Sequence, residues 1–378
     1  MKHPFKTIAL AIAILVTPLL LQSEEAGSPV SSIAKLIAKA EQGDVEAQHI
    51  LANIYYKGEG SSKDYSAALG WYQKAADQGH APSQTMLALM YYYGEGTPTD
   101  YSTAFKWFQK AAELGDAPSQ YYLASMYRDG KGTPKDSSSA FKWLQKAAEQ
   151  GHVPAQYYLA CMYYDGQGTS KDDSAALEWH QKAAEQGYAL SQHNLACMYH
   201  KGEGTPKDNS AALKWYHKAA DQGYALSQHN LALMYYNGEG TSKDYSAAFH
   251  WFQKAAEQGA AISQYYLARM YCKGEGTTMD YSTGFKWFQK AAAQGDAEAQ
   301  FGLALMYYNG VGITKDEFES LAWLYVAGSV QSDNSLTIKK LIDVVGQKLG
   351  SQAVLQARQR AAEIQKSIDI RKAQTKQP

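Results

Sequence analysis

Histidine and cysteine side chains lie close together at His193, Cys197 and His200. On a helix, residues four and seven apart share one face, so this set could activate a thiol or, with His229 one period later, bind a metal ion. The i, i+7 histidine spacing is wider than the usual metal pair, however, and no carboxylate partner accompanies it. No Ser/His/Asp, Ser-x-x-Lys or paired-carboxylate pattern occurs with the spacing of a known enzyme class. The sequence therefore predicts no catalytic residue, no metal and no cofactor.

A Gly-x-Gly motif, which could cradle a phosphate, recurs eight times, for example at Gly130 and Gly132. The copies lack the strand, the third glycine and the lysine that phosphate binding needs. We interpret them as turns whose glycines adopt positive φ.

The eight tryptophans show that these side chains belong to a repeated structural unit, because each tryptophan lies 36 residues from the next. They are Trp71, Trp107, Trp143, Trp179, Trp215, Trp251, Trp287 and Trp323. A fixed period of 20–50 residues indicates a solenoid, whose units cannot bury their apolar faces alone. Function is therefore expected on a long continuous surface rather than in one cleft.

The repeat from Asp116 to Gly151 predicts two antiparallel helices of about 12 residues each. Gly130 is predicted to end the first helix, Asp136 to cap the second and Gly151 to end it. The tryptophan column is expected to fill the space between neighbouring helix pairs. The predicted buried stripe of the second helix consists of Ala140, Trp143, Leu144, Ala147 and Ala148.

The pattern Ala/Ser-x-x-x-Leu-Ala-x-x-Tyr-x-x-Gly-x-Gly, then Asp, then Ala-x-x-Trp-x-x-Lys-Ala-Ala-x-x-Gly resembles the Sel-one-like repeat (SLR), a relative of the tetratricopeptide repeat. The resemblance covers residues 44–331. It implies an all-α fold, a right-handed α/α superhelical solenoid of eight helix-turn-helix repeats, and a role as an adaptor for protein complexes. Many bacterial members are exported. Cysteine-rich members are linked to penicillin binding and β-lactamase activity, but this chain lacks their regular pair of cysteines in each repeat.

The two ends depart from the repeat. Lys2 and Lys6 precede an apolar run at 7–21 and a polar exit, which is the layout of a signal peptide over residues 1–23, with an uncleaved anchor as the alternative. Residues 24–43 are predicted to form an N-terminal capping helix. Residues 332–378 are predicted to hold two capping helices, at about 335–347 and 351–370, and a basic tail.

Charge and cysteine content exclude further classes. The chain has 36 basic and 37 acidic residues, so no bulk charge favours nucleic acid. Cys161 and Cys197 occupy one column of adjacent repeats, too far apart for a disulfide, and Cys272 lies in another column; we predict three free thiols. No later segment is apolar enough to span a membrane, and the mature chain is expected to be monomeric.

The columns at positions 49, 53 and 56 are predicted to form the free face of the first helices, which lines the concave surface in related folds. Thirteen of the sixteen residues in the 49 and 56 columns are aromatic or histidine. Such residues, with scattered arginines, are typical of interaction hot spots, although the rings could simply stack and stiffen the array. The predicted partner-binding residues are Tyr121, Arg128, Tyr157, Tyr164, His193, His200, His229, Tyr236, Tyr265 and Arg269.

These observations favour a non-enzymatic adaptor, exported to the periplasm or secreted, that binds a protein or peptide on its concave face in envelope function, signalling or host contact. The alternative is a protein that binds or hydrolyses β-lactam or peptidoglycan, like the cysteine-rich SLR proteins. An endoplasmic-reticulum adaptor is disfavoured, because the chain has no C-terminal membrane helix, retention signal or Asn-x-Ser/Thr acceptor.

Overall fold

The computed structural model describes residues 29–59, 62–329 and 334–375; the predicted signal peptide lies outside them. These residues form nineteen α-helices and no strand. The described residues divide into two compact units, one up to Gly187 and the other from Tyr188 onward. The helices of the first unit are α1 Pro29–Glu41, α2 Val45–Lys57, α3 Tyr65–Asp77, α4 Ala81–Tyr93, α5 Tyr101–Glu113, α6 Ala117–Asp129, α7 Ser137–Glu149, α8 Val153–Asp165 and α9 Asp173–Glu185.

The second unit continues the same pattern of helix pairs. Its helices are α10 Ala189–Lys201, α11 Asn209–Asp221, α12 Ala225–Asn237, α13 Tyr245–Glu257, α14 Ala261–Lys273, α15 Tyr281–Ala292, α16 Ala297–Asn309, α17 Glu317–Gly328, α18 Ser335–Leu349 and α19 Ser351–Thr375. Within each unit the helices of the repeats pack mainly on their neighbours in sequence, whereas α19 packs mainly on α17. The prediction of an all-α array of eight helix-turn-helix repeats is confirmed. No helix within the described ranges is both long and apolar enough to cross a membrane.

Local capping chemistry explains where the helices begin and end. Gly130 ends α6 with φ 72°, and its N–H donates to the Met126 carbonyl at 2.9 Å. The Asp136 carboxylate accepts the N–H groups of Ser138 and Ser139 at 3.0 Å and so caps α7. Gly151 follows α7 with φ 85°. All three glycine and aspartate predictions are confirmed.

The tryptophans are not the centre of the core. Most are half-buried, and in seven repeats a lysine three residues later places its Nζ over the indole, 3.9–4.7 Å from the ring centroid. The residue after each tryptophan is buried instead; Phe108, for example, is 0% exposed. Of the predicted buried stripe, Leu144 and the three alanines are confirmed, whereas Trp143 is only half-buried, since the indole covers the edge of the core and shares its face with a cation.

A buried glutamine column, which the sequence analysis missed, ties neighbouring repeats together. Its members are Gln48, Gln84, Gln120, Gln156, Gln192, Gln228, Gln264 and Gln300. Gln120, for example, donates to the Ala112 carbonyl of the preceding repeat at 3.1 Å and accepts from Gln150 at 2.8 Å. A buried amide with both ends bonded costs little, so Gln120 fixes the position of three helices. Gln84 and Gln300 donate to the preceding repeat in the same way, but their buried Oε1 atoms accept no hydrogen bond.

Additional helices cover the first and last repeats. α1 packs on α2, where Ala40 is 1% exposed. At the other end, α19 packs on α17 through a stripe of buried residues, Ala357, Ala361, Ile364 and Ile368. Both C-terminal helices begin where the sequence indicates, and α19 is five residues longer than expected.

Candidate functional site

The 49 column is more buried than a free face should be. Tyr121 is 1% exposed, His49 6% and His229 7%. His229 bonds through Nδ1 to the Ser263 hydroxyl of the next repeat at 2.9 Å, as His49 and His193 bond to Ser83 and Ser227. The expectation of a wet surface is therefore wrong at Tyr121 and His229, because the first helix of the following repeat covers this column.

Burial holds these imidazoles neutral. It lowers the pKa of His193 and of His229 to about 4, and that of His49 to about 4 with a further contribution from the nearby His80. Desolvation penalises the charged ring, and the hydroxyl partner carries no charge to offset it. The column therefore acts as a chain of inter-repeat contacts at neutral pH.

The 56 column is half-buried, and the tips of its side chains contact the next repeat. The Tyr236 hydroxyl donates to Glu275 Oε2 at 2.9 Å, and His200 Nε2 lies 3.6 Å from Glu239 Oε2. Both glutamates are the middle residue of a Gly-x-Gly turn. Burial and the Glu275 hydrogen bond together raise the pKa of Tyr236 to about 12. In the first unit, the Tyr164 ring lies 5.1 Å from Lys171 Nζ.

In the first unit, three predicted site residues meet around Tyr158. The Arg128 guanidinium lies 4.7 Å from the centroid of the Tyr158 ring and is bonded to Asp129 at 2.9 Å. The ring centroids of Tyr157 and Tyr121 lie 5.0 and 5.9 Å from that of Tyr158. We call Arg128, Tyr121, Tyr157 and Tyr158 the Tyr158 cluster.

In the second unit, four predicted site residues meet around Tyr266. The Arg269 guanidinium lies 5.8 Å from the centroid of the Tyr266 ring, and the rings of Tyr265, His229 and Tyr236 lie at 5.3, 5.8 and 6.1 Å. We call these five residues the Tyr266 cluster. His193 and His200, like Tyr164, belong to neither cluster.

The two central tyrosines were not among the residues that the sequence predicts for the site. Tyr158 and Tyr266 occupy the 50 column, which the helical wheel assigned to neither the constant nor the free face. The Tyr-Tyr dipeptides at 157–158 and 265–266 were the available signal. Successive residues of a helix point in directions 100° apart about its axis. Two adjacent tyrosines can therefore place one ring towards the interior and the other at the edge of the surface.

Comparison with known proteins shows to which repeat family the chain belongs. The family model described as Sel1 repeat matches at residues 45–80, 81–116, 117–152, 153–188, 189–224, 225–259, 261–296 and 297–329. The chain belongs to the Sel1 repeat family. Sel1 repeat proteins are generally non-enzymatic scaffolds for protein–protein interaction. Among curated proteins, none matches the chain.

Two solved structures show the same fold. A Sel1 repeat protein from Oxalobacter formigenes is 30% identical, with a TM-score of 0.63, and the match covers 85% of this chain and 96% of that one. A protective antigen present in uropathogenic Escherichia coli strains, with an SLR fold, is 27% identical, with a TM-score of 0.58 over 92% of this chain and 97% of that one.

The cysteines of this Sel1 repeat protein show no activated thiol. All three are free thiols. Cys197 Sγ lies 3.6 Å from His193 Nε2 and 3.1 Å from the Tyr216 hydroxyl, but burial raises the pKa of the thiol while it lowers that of the imidazole. A thiolate–imidazolium pair needs the opposite shifts. In the described ranges, no group of three or more His, Cys, Asp and Glu side chains could hold a metal ion.

Proposed function

We propose that this protein is an exported scaffold that binds a protein or an extended peptide. The binding surface in each unit is the one formed by the first helices of the repeats around the Tyr158 and Tyr266 clusters, which we call the first-helix surface. The observation that carries the proposal is the arginine held over a tyrosine in each cluster, at Arg128 and Arg269. Arginine and tyrosine are enriched among residues that dominate binding energies.

The geometry of the clusters favours recognition because the side chains are already ordered. The Arg128 side chain is 30% exposed while Asp129 and the Tyr158 ring hold its position. A partner that bonds to such an arginine pays less rotamer entropy than one that must order a free side chain. The partner chemistry we favour is a carboxylate next to an aromatic or aliphatic side chain.

Arginine variants test this proposal better than tyrosine variants do. Tyr236→Ala would also break the hydrogen bond to Glu275, so a loss of binding could reflect a loosened array. We expect Arg128→Ala and Arg269→Ala to lower affinity for a partner captured by crosslinking by more than about 2 kcal/mol, or about 30-fold, with an unchanged melting temperature.

The matched control is Lys146→Ala, which removes a cation from an indole, 4.3 Å from the Trp143 centroid, on a second helix. Titration calorimetry of the purified chain with its crosslinked partner measures all three variants. Unchanged affinity in both arginine variants, or equal losses in the control, would leave the rings with only a stacking role.

The proposal that the protein is exported is separate from the proposal about binding, and its evidence comes from residues 1–23. Lys2, Lys6 and the apolar run that follows have the layout of a signal peptide, and the E. coli relative, a protective antigen, fits a protein that meets the host. We expect the mature chain to begin near Glu24 and to reside in the periplasm or outside the cell. N-terminal sequencing of the fractionated protein checks this, and a cytoplasmic product that retains Met1 would refute it.

A further inference from the structure

The last helix, α19, has an exposed stripe on the side that faces away from the repeats. Its buried stripe, around Ala361 and Ile364, packs on α17. At 100° per residue, five other side chains fall within about 80° of one another on the opposite side of the helix. These five, which we call the outer stripe, are Leu355, Gln359, Ala362, Lys366 and Ile370, and all are exposed. Because Leu355 is 54% and Ile370 49% exposed, α19 has apolar surface on two sides and buries only one of them.

The outer stripe is nearly symmetric about its midpoint, next to Ala362. Leu355 and Ile370 lie seven and eight residues from Ala362, in opposite directions along the chain. Gln359 and Lys366 lie three and four residues from it in the same way. In an antiparallel pair of α19 helices related by a two-fold axis, Leu355 of each copy therefore faces Ile370 of the other. The two small Ala362 side chains meet at the centre, where the helices come closest. A two-fold interface requires a patch that complements itself in this manner.

Lys366 decides the direction in which two such helices can pair. Among the described residues Lys366 takes part in no ion pair, since the ion pairs of α19 are those of Arg360. In a parallel pair, the two Lys366 ammonium groups would face each other and repel. In the antiparallel pair they lie seven residues apart along the axis, about 10 Å, and each faces Gln359, whose amide oxygen accepts a hydrogen bond. The antiparallel pair is therefore the favourable one.

Two cavities flank α19, and one of them reaches the outer stripe. A cavity of about 570 Å³ lies between α15, α17 and α19, on the inner side of the helix. A second cavity, of about 450 Å³, lies between α17, α18 and α19, and its apolar lining comes from Leu355, Val354 and Ile342. Since Ile370 of a second copy faces Leu355 in the antiparallel pair, its side chain can enter this second cavity. Burying an aliphatic side chain there stabilises the pair.

We propose that the protein forms a two-fold dimer in which α19 of one copy packs antiparallel on α19 of the other. Ala362 lies at the axis, and Ile370 of each copy enters the cavity beside Leu355 of the other. This interface goes beyond the first-helix surface, uses a helix outside the eight matched repeats, and replaces the monomer expected from the sequence. One helix pair about 30 Å long is a small interface, so we expect a reversible dimer with a dissociation constant in the micromolar range.

Sedimentation of the full mature chain over a range of concentrations tests the dimer. We expect Leu355→Lys to weaken dimerisation at least about tenfold, because the new charge meets Ile370 of the second copy. The matched control is Leu114→Lys, at a leucine that is 60% exposed and follows α5 in the first unit; it should change nothing. A native chain that stays monomeric well above the micromolar range would overturn the proposal and leave the outer stripe to a different protein. Equal losses in the control would overturn it as well.

Two variants at Gln359 test the antiparallel direction. Gln359→Glu places a carboxylate opposite Lys366 of the second copy at two symmetric positions, so we expect it to tighten the dimer about fivefold. Gln359→Lys places two ammonium groups together and should weaken it about fivefold. In a parallel pair each Gln359 would face its own counterpart, so both variants would weaken the dimer, and that result would refute the arrangement.

Disulfide crosslinking locates the axis. Under mild oxidation, Ala362→Cys should give a covalent dimer, whereas Leu355→Cys should not, because the two copies of residue 355 lie about 22 Å apart in the antiparallel pair. The native chain, with its three thiols, is the control for oxidation. Efficient crosslinking of Leu355→Cys to itself would contradict the proposal. The Arg128→Ala and Arg269→Ala variants should dimerise normally, which separates this interface from the first-helix surface.

Discussion

Replacing Gly132 with alanine is expected to destabilise the first unit by about 2–5 kcal/mol, the sum of a strained backbone and an overpacked contact. Gly132 has φ 70°, and an added Cβ would lie 2.6 Å from the carbonyl carbon of Tyr101, at the first turn of α5. The loop of one repeat therefore rests directly on the second helix of the repeat before it. No side chain fits there without moving the two repeats apart.

Gly151→Ala is the control for this variant. Gly151 also has positive φ, 85°, but an added Cβ would meet nothing within 4 Å. Gly151→Ala should therefore lower the free energy of unfolding only by the cost of the strained backbone, about 1–2 kcal/mol. Urea unfolding measures both variants, and hydrogen exchange should show the loss for Gly132→Ala concentrated around α5, α6 and α7. Equal losses for both glycines would mean that the close contact contributes nothing.

Acid is expected to destabilise the repeats from about pH 6.5 downward, before most of their carboxylates are protonated. Burial lowers the pKa of five histidines to about 4, namely His49, His152, His180, His193 and His229. Their ordinary pKa is 6.5, so the unfolded chain binds more protons between the two values and stability falls as pH falls. The full contribution is present above pH 6.5. By pH 4.5 each histidine should have lost about 2.5 kcal/mol.

His180→Leu should remove the contribution of one histidine to the pH dependence of the unfolding free energy. His180 is 2% exposed, and the same column holds Leu144 and Leu324, so leucine fits the site. Between pH 6.5 and 4.5 the variant should lose about 2.5 kcal/mol less than the native chain in urea titrations. His217→Gln, at a side chain that is 46% exposed, is the comparison. Parallel pH profiles for His180→Leu and the native chain would show that the buried imidazole does not govern acid stability.

The sequence alone determined the period, the helix pairs and their ends. Asp136 and Gly130 act on backbone groups within a few residues, so their effects can be predicted without knowing what packs against the helix. The family pattern is local for the same reason, and the matched repeats follow the predicted grid closely.

Which side chains are free depends on tertiary contacts that the sequence pattern does not show. A helical wheel places His229 and Tyr236 on the side opposite the core, but it cannot show that Ser263 and Glu275 of the next repeat reach over to bond them. The rotation of each repeat against the next depends on contacts between residues 30 or more apart, such as those of the buried glutamines and of the second glycine in each turn. The cavity between α15, α17 and α19 could not be predicted for the same reason. It forms because α19, which follows the end of the periodic pattern, packs across the second helices of two repeats.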